Sequence, residues 1–151
     1  ANPVGLDVVC PSTEWQGRWA EPDGRAIVDS SIARLRGEGV QRIYLAGLSA
    51  GAIGATRIAP GADIEGLVLI SGASSQADPA RVPTLVLQGA RDTMTPPQTA
   101  RSYARRAGRT ARYVEYDDAG HWLILSHHDD VTRELRRWLA EQEGLLPVHD
   151  E

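Results

Sequence analysis

Apolar positions along the chain follow two alternating rhythms. Short apolar runs at residues 6–10 (LDVVC), 42–46 (RIYLA), 67–71 (LVLIS), 84–88 (TLVLQ) and 112–116 (RYVEY) predict five strands. The middle three are continuous and aliphatic, as expected of parallel strands covered on both faces. Between the runs the period lengthens to that of a helix. Val28, Ile32 and Leu35 share one face ahead of Gly37 and Gly39, and a small-residue helix is expected over 52–59. Ala100, Tyr103, Ala104 and Ala107 share another face after Pro96 and Pro97, where proline suits a helix start. Val131, Leu135, Trp138 and Leu139 mark the last helix. Strands alternating with helices imply a parallel sheet with right-handed crossovers. The expected fold class is therefore α/β, a three-layer sandwich on a mainly parallel sheet of about five strands. Residues 1–142 read as a single domain and 143–151 (EGLLPVHDE) as a flexible tail. Residues 15–24 (WQGRWAEPDG) form a polar, turn-rich connection, long for a strand–helix loop, and such loops are often functional.

Candidate chemistry is concentrated after the predicted strand 42–46. That strand runs into Gly47-Leu48-Ser49-Ala50-Gly51, the pattern G-x-S-x-G, with a helix behind it. A serine at so sharp a strand–helix turn needs a strained backbone and neighbours without side chains, which the two glycines supply. The turn lifts its hydroxyl above the carboxyl edge of the sheet, where open α/β sheets place their sites. The helix behind it directs N–H groups at a developing oxyanion, and the N–H of Ala50 is the natural first donor. Asp92 follows the strand 84–88 directly, and His121 follows the strand 112–116. An aspartate there can orient a histidine tautomer, and a loop histidine can act as general base on the serine. A turn aspartate and a surface histidine are the plainer readings of each residue alone. The order Ser49, Asp92, His121 is that of the α/β-hydrolase arrangement.

The segments GLSAG, VPTLVLQGARDTMTP and YDDAGHW resemble the nucleophile, acid and base segments of the α/β-hydrolase family, with the likeness covering about residues 40–142. The resemblance implies a serine hydrolase of carboxylesterase type, with Ser49, Asp92 and His121 as catalytic triad and a reduced core without lid. It also implies departures. The family has several strands ahead of the nucleophile strand, and this chain offers only residues 6–10. Either those residues take the inner position beside the nucleophile strand, or the missing strands come from a partner chain, a second copy or a removed segment. In the first case the backbone N–H of Ser12 or Thr13 completes the oxyanion hole. Residues 73–81 (ASSQADPAR) are too short for the lid that family members often carry there. An open pocket favours hydrolysis over transfer, with Leu48, Trp15, Trp19 and Trp122 as candidate apolar walls.

Composition narrows the alternatives. A net charge of −4 argues against nucleic acid or an anionic membrane as partner, although all sixteen basic residues are arginine. The single cysteine, Cys10, excludes an internal disulfide and an all-cysteine metal site, and is expected to be a buried thiol. No apolar stretch approaches a membrane span. The expected compartment is the cytoplasm, with secretion or the periplasm as alternatives. Adjacent residues of the His127-His128-Asp129-Asp130 run point to different sides of a helix, so a polar helix start is expected rather than a metal site. Arg101, Arg105, Arg106, Arg109 and Arg112 read as a solvated face, and Asp63 and Asp78 are weaker candidates for the acid. The leading function is cleavage of a small ester or acyl substrate through an acyl-enzyme on Ser49, with no metal or organic cofactor. A peptidase or aminopeptidase of the same fold, or a non-catalytic fragment needing a partner chain, are the competing readings.

Overall fold

A computed structural model describes residues 6–12, 19 and 21–145. Helix α1 (Pro22–Gly37) comes first, followed by β1 (Tyr44–Leu48), α2 (Ala50–Ile58), β2 (Gly66–Ile70) and β3 (Thr84–Gly89). Then come α3 (Pro97–Ala107), β4 (Ala111–Tyr116), a four-residue helix α4 (Leu123–Ser126) and α5 (His128–Gln142). The four strands are parallel, in the order β1-β2-β3-β4.

Strand alternation divides the core between the two faces of this sheet. Leu67, Leu69 and Val86 meet Val28 and Ile32 of α1, Ala52, Ala55 and Ile58 of α2, and Ala100 and Tyr103 of α3. Val68, Ile70, Leu85 and Leu87 meet Leu123 of α4 and Val131, Trp138 and Leu139 of α5. The expected three-layer α/β architecture is thus formed, and β2 and β3 are buried along their whole length. Each fully buried leucine contributes about 1.5–3 kcal/mol relative to exposure, so these two strands anchor the molecule. They also fix the height at which their carboxyl ends present Ser71 and Asp92.

The first predicted strand does not form. Residues 6–10 are irregular, Val8 is 82% exposed, and Cys10 lies on the surface rather than buried. Only Leu6 of this run packs against a core cluster. Strand propensity is realised through pairing and packing, and this segment joins no ladder and packs only through Leu6, so among the described residues the sheet has four strands, not five. Among the described residues β1, the strand that leads into Ser49, is consequently an edge strand, and its central Ala46 is exposed.

Smaller differences have local causes. β1 starts two residues later than its apolar run because the N–H of Ile43 donates to the Glu65 carboxylate (2.6 Å) and Arg42 reaches the Gln142 carbonyl (2.7 Å). Helix α1 begins at Pro22, with proline in the first turn, so residues 22–24 of the expected loop are helical. Residues 71–83, where a lid was not expected, carry no helix or strand.

Candidate active site

Ser49 sits between β1 and α2 with φ 54° and ψ −118°, a left-handed conformation costly for a residue with a side chain. The elbow is held on both sides. The Ser49 N–H donates to the Ile70 carbonyl at 2.9 Å, and the Ser49 carbonyl accepts from the Ile53 N–H at 3.1 Å. A Cβ on Gly47 would overlap the Gly51 carbonyl oxygen, and one on Gly72 would come within 3.0 Å of the Ser49 carbonyl oxygen. Gly51 is different: among the described residues, a Cβ there would meet only the Trp19 ring, at 3.9 Å. The first glycine of G-x-S-x-G is therefore sterically required, whereas the described residues set no such demand on the second, in contrast to the expectation for both.

Three loops at the carboxyl ends of the strands bring Ser49, His121 and Asp92 together. Ser49 Oγ lies 2.9 Å from His121 Nε2, and His121 Nδ1 lies 2.9 Å from Asp92 Oδ2. A carboxylate only accepts, so Nδ1 carries the imidazole proton and Nε2 is left to accept the serine hydroxyl. His121 and Asp92 are buried, whereas Ser49 is half-buried. The alternative acids lie elsewhere: Asp63 pairs with Arg36 at 2.7 Å, and Asp78 is exposed.

Asp92 is crowded with donors. Its Oδ1 accepts the N–H groups of Met94 (2.9 Å) and Thr95 (2.8 Å). Oδ2 accepts His121 Nδ1 and Gln88 Nε2 (3.0 Å), and lies 2.6 Å from Thr95 Oγ. Burial opposes the charge, but donation from Thr95, His121 and Met94 outweighs it and holds the carboxyl below its ordinary value. Thr95 Oγ also lies 2.8 Å from the Ser71 carbonyl, so its single proton serves one of two acceptors. Ser71, itself left-handed at φ 52°, donates through Oγ to the His121 carbonyl at 2.7 Å. Gln88, Thr95 and Ser71 thus tie the acid and base loops to the ends of β3 and β2. Sequence reasoning missed all three. A glutamine closing an aliphatic strand was the available signal.

The remaining predicted residues are less closely gathered. Ala50 opens α2 exposed, in the first turn where helical N–H groups lack intrahelical acceptors. Trp122 stacks edge-on against His121 at 5.1 Å between ring centroids and is 57% exposed; Leu48 is half-buried against the α5-side core. Thr13 and Trp15 lie outside the described residues. Ser12 is exposed, and the strand expected to set it above Ser49 is absent. Asp129 and Asp130 occupy the first turn of α5. Among the described residues, no three His, Cys, Asp or Glu side chains are grouped to hold a metal ion. In the basic run, Arg101 pairs with Glu115, Arg112 with Glu134 and Glu141, and Arg106 lies over the Tyr103 ring.

Residues 71–151 match the family model described as TAP-like protein, one of the α/β-hydrolase families. The chain belongs to the TAP-like α/β-hydrolase family. The match begins at Ser71 and takes in Asp92 and His121, while Ser49 lies upstream of it. No curated protein sequence matches the chain. Among solved structures, a monoacylglycerol lipase from Paleococcus ferrophilus superposes with a TM-score of 0.70 at 15% identity, over 80% of this chain and 75% of the lipase. A thermophilic esterase from Thermogutta terrifontis gives 0.66 at 18% identity, over 89% and 75% of the two chains. A puromycin hydrolase gives 0.72 at 17% identity, over 85% of this chain but only 26% of that enzyme. At such identities these likenesses establish a shared fold.

Proposed function

We propose that this α/β-hydrolase family member is a serine hydrolase that cleaves a small ester or acyl substrate through an acyl-enzyme on Ser49. The observation carrying this reading is the unbroken relay from Ser49 Oγ through His121 to Asp92, with 2.9 Å at each step. In the first half-reaction His121 Nε2 takes the hydroxyl proton as Ser49 Oγ attacks the carbonyl carbon. His121 then gives that proton to the leaving alcohol as the ester bond breaks. In the second, His121 deprotonates water, which attacks the acyl-enzyme and frees the acid and Ser49. Asp92 holds the tautomer and faces the imidazolium, and the Ala50 N–H stabilises the oxyanion. Trp122, exposed and edge-on to the His121 ring, provides apolar surface beside the site and favours an apolar acyl group.

The test is turnover of p-nitrophenyl acetate and butyrate by the wild-type chain and by Ser49→Ala. Serine-dependent hydrolysis is expected to fall at least about a thousandfold in the variant. Equal slow rates from both proteins would reject catalysis at Ser49. The fold shared with a puromycin hydrolase keeps a peptidase reading in play. An aminoacyl p-nitroanilide assayed in parallel separates the two: faster cleavage of the anilide than of the esters would favour it.

A further inference from the structure

Gln88 is wholly buried at the end of β3, after the aliphatic residues Leu85, Val86 and Leu87. Its amide is turned in one direction by its surroundings. Nε2 faces three acceptors: Asp92 Oδ2 at 3.0 Å, the Thr95 carbonyl at 3.2 Å and the Gly89 carbonyl at 3.4 Å. The opposite atom, Oε1, is buried without a hydrogen-bond partner among the described residues. A buried acceptor left unpaired costs about 1–3 kcal/mol, and a methionine or leucine would fill the position without it. The side chain is therefore retained for its donor end.

That donor end enters a competition. Asp92 has about four lone-pair sites, and five donor groups lie within hydrogen-bonding distance of it. Three of them, from Gln88, Thr95 and His121, converge on Oδ2. The positive end of the Gln88 amide dipole thus points at the oxygen that must stabilise the His121 imidazolium. Each part of negative charge drawn toward Gln88 is withdrawn from His121.

We propose that Gln88 is a positioning residue that competes with His121 for Asp92 Oδ2 and thereby keeps His121 a free base at lower pH than the Asp92–His121 pair alone would allow. The inference rests on the serine-hydrolase reading, in which the neutral imidazole is the working form. Among the described residues, no other charged side chain forms a hydrogen bond or ion pair with Asp92 or His121. The end of β2 supplies Ser71, the acid loop Thr95 and the exposed Arg91, and the base loop the exposed Asp117 and Asp118. Asp118 is engaged by His127 at 3.0 Å.

The test is titration of the histidine ring signals by NMR in the wild-type chain, Gln88→Met and Gln88→Leu, with His121→Gln assigning the His121 signal among the four histidines. Both Gln88 variants lack the donor. Their His121 midpoint is expected to move up by about 0.5–1 pH unit, and the acid limb of kcat/KM for p-nitrophenyl butyrate to move with it. A purely structural glutamine would instead lower the melting temperature and leave the midpoint in place. An unmoved or lowered midpoint in the folded variants would overturn the proposal, as would failure of both variants to fold. Labelling of the wild type by a fluorophosphonate probe judges the serine-hydrolase reading separately, and the titration decides on Gln88 whichever way that labelling falls.

Discussion

At the scale of single residues, the site depends on how one carboxylate is solvated by protein. Asp92 is buried, and donation from Thr95, His121 and Met94 outweighs that burial and keeps it charged. Because its folded-state value lies below the ordinary aspartate value of 3.8, the unfolded chain takes up its proton first on acidification. The resulting stability is fully present above about pH 4 and is lost as pH falls through the depressed folded value. Asn keeps one acceptor oxygen but puts an uncharged NH2 donor in place of the other, so it cannot accept from all of these donors. Asp92→Asn is therefore expected to have a lower urea midpoint than wild type at pH 7, with the gap narrowing by pH 3. The same variant should lose about a hundredfold to ten-thousandfold in kcat, since the tautomer of His121 is no longer imposed. A constant stability gap across this pH range would show that the donors do not act through the charge.

Ser49, Asp92 and His121 were legible in the sequence because each lies just past a strand, in regions whose apolar pattern marks the strand end. Gln88 and Thr95 were not. Their partners are side chains and carbonyls from other loops, and no periodicity in the chain encodes which way a buried amide turns.

At the scale of elements, the strand–serine–helix unit is set by backbone proximity more than by side chains. Gly47 faces the Gly51 carbonyl so closely that no Cβ fits between them, whereas the space beside Gly51 is open up to Trp19. The two glycines of one motif thus carry different loads, which the sequence pattern treats as equal. Gly47→Ala is expected to destabilise the chain by about 1–3 kcal/mol, as overpacking does, and to depress serine reactivity by shifting the elbow. Gly51→Ala is expected to be nearly neutral or mildly stabilising, because alanine is the better helix former. Thermal melts and fluorophosphonate labelling rates of the two variants measure both effects, and equal losses in the two would contradict the asymmetry. The helices were legible for a related reason. Apolar stripes such as Val28–Ile32 and Val131–Trp138–Leu139 mark faces that the sheet then covers. The short α4 escaped notice, as four residues carry too little period to register.

At the scale of the whole molecule, the sheet of the described residues is covered on both faces and ends in two edge strands, β1 and β4. Residues 6–10 have the composition of a strand, yet a strand exists only where a neighbour accepts its hydrogen bonds, and that depends on placement rather than composition. The consequence falls on β1. In a parallel ladder the N–H and C=O of one residue point to the same side and alternate along the strand. The Ser49 N–H reaches the Ile70 carbonyl of β2, so Gly47 and Leu45 also face β2, while Ala46 and Leu48 direct their backbone groups outward. Ala46 is exposed, and no described strand lies beyond it. Amide hydrogen exchange followed residue by residue reads this alternation directly. The amides of Ala46 and Leu48 are expected to exchange at least about a hundredfold faster than those of Leu45 and Gly47, because outward groups exchange without opening the sheet. Equal protection along all four residues would mean that another strand, from this chain or a second copy, seals the edge in solution. The nucleophile strand would then owe its rigidity to that neighbour, and dilution of the protein would loosen β1 and slow the labelling of Ser49 together if the neighbour were a second copy.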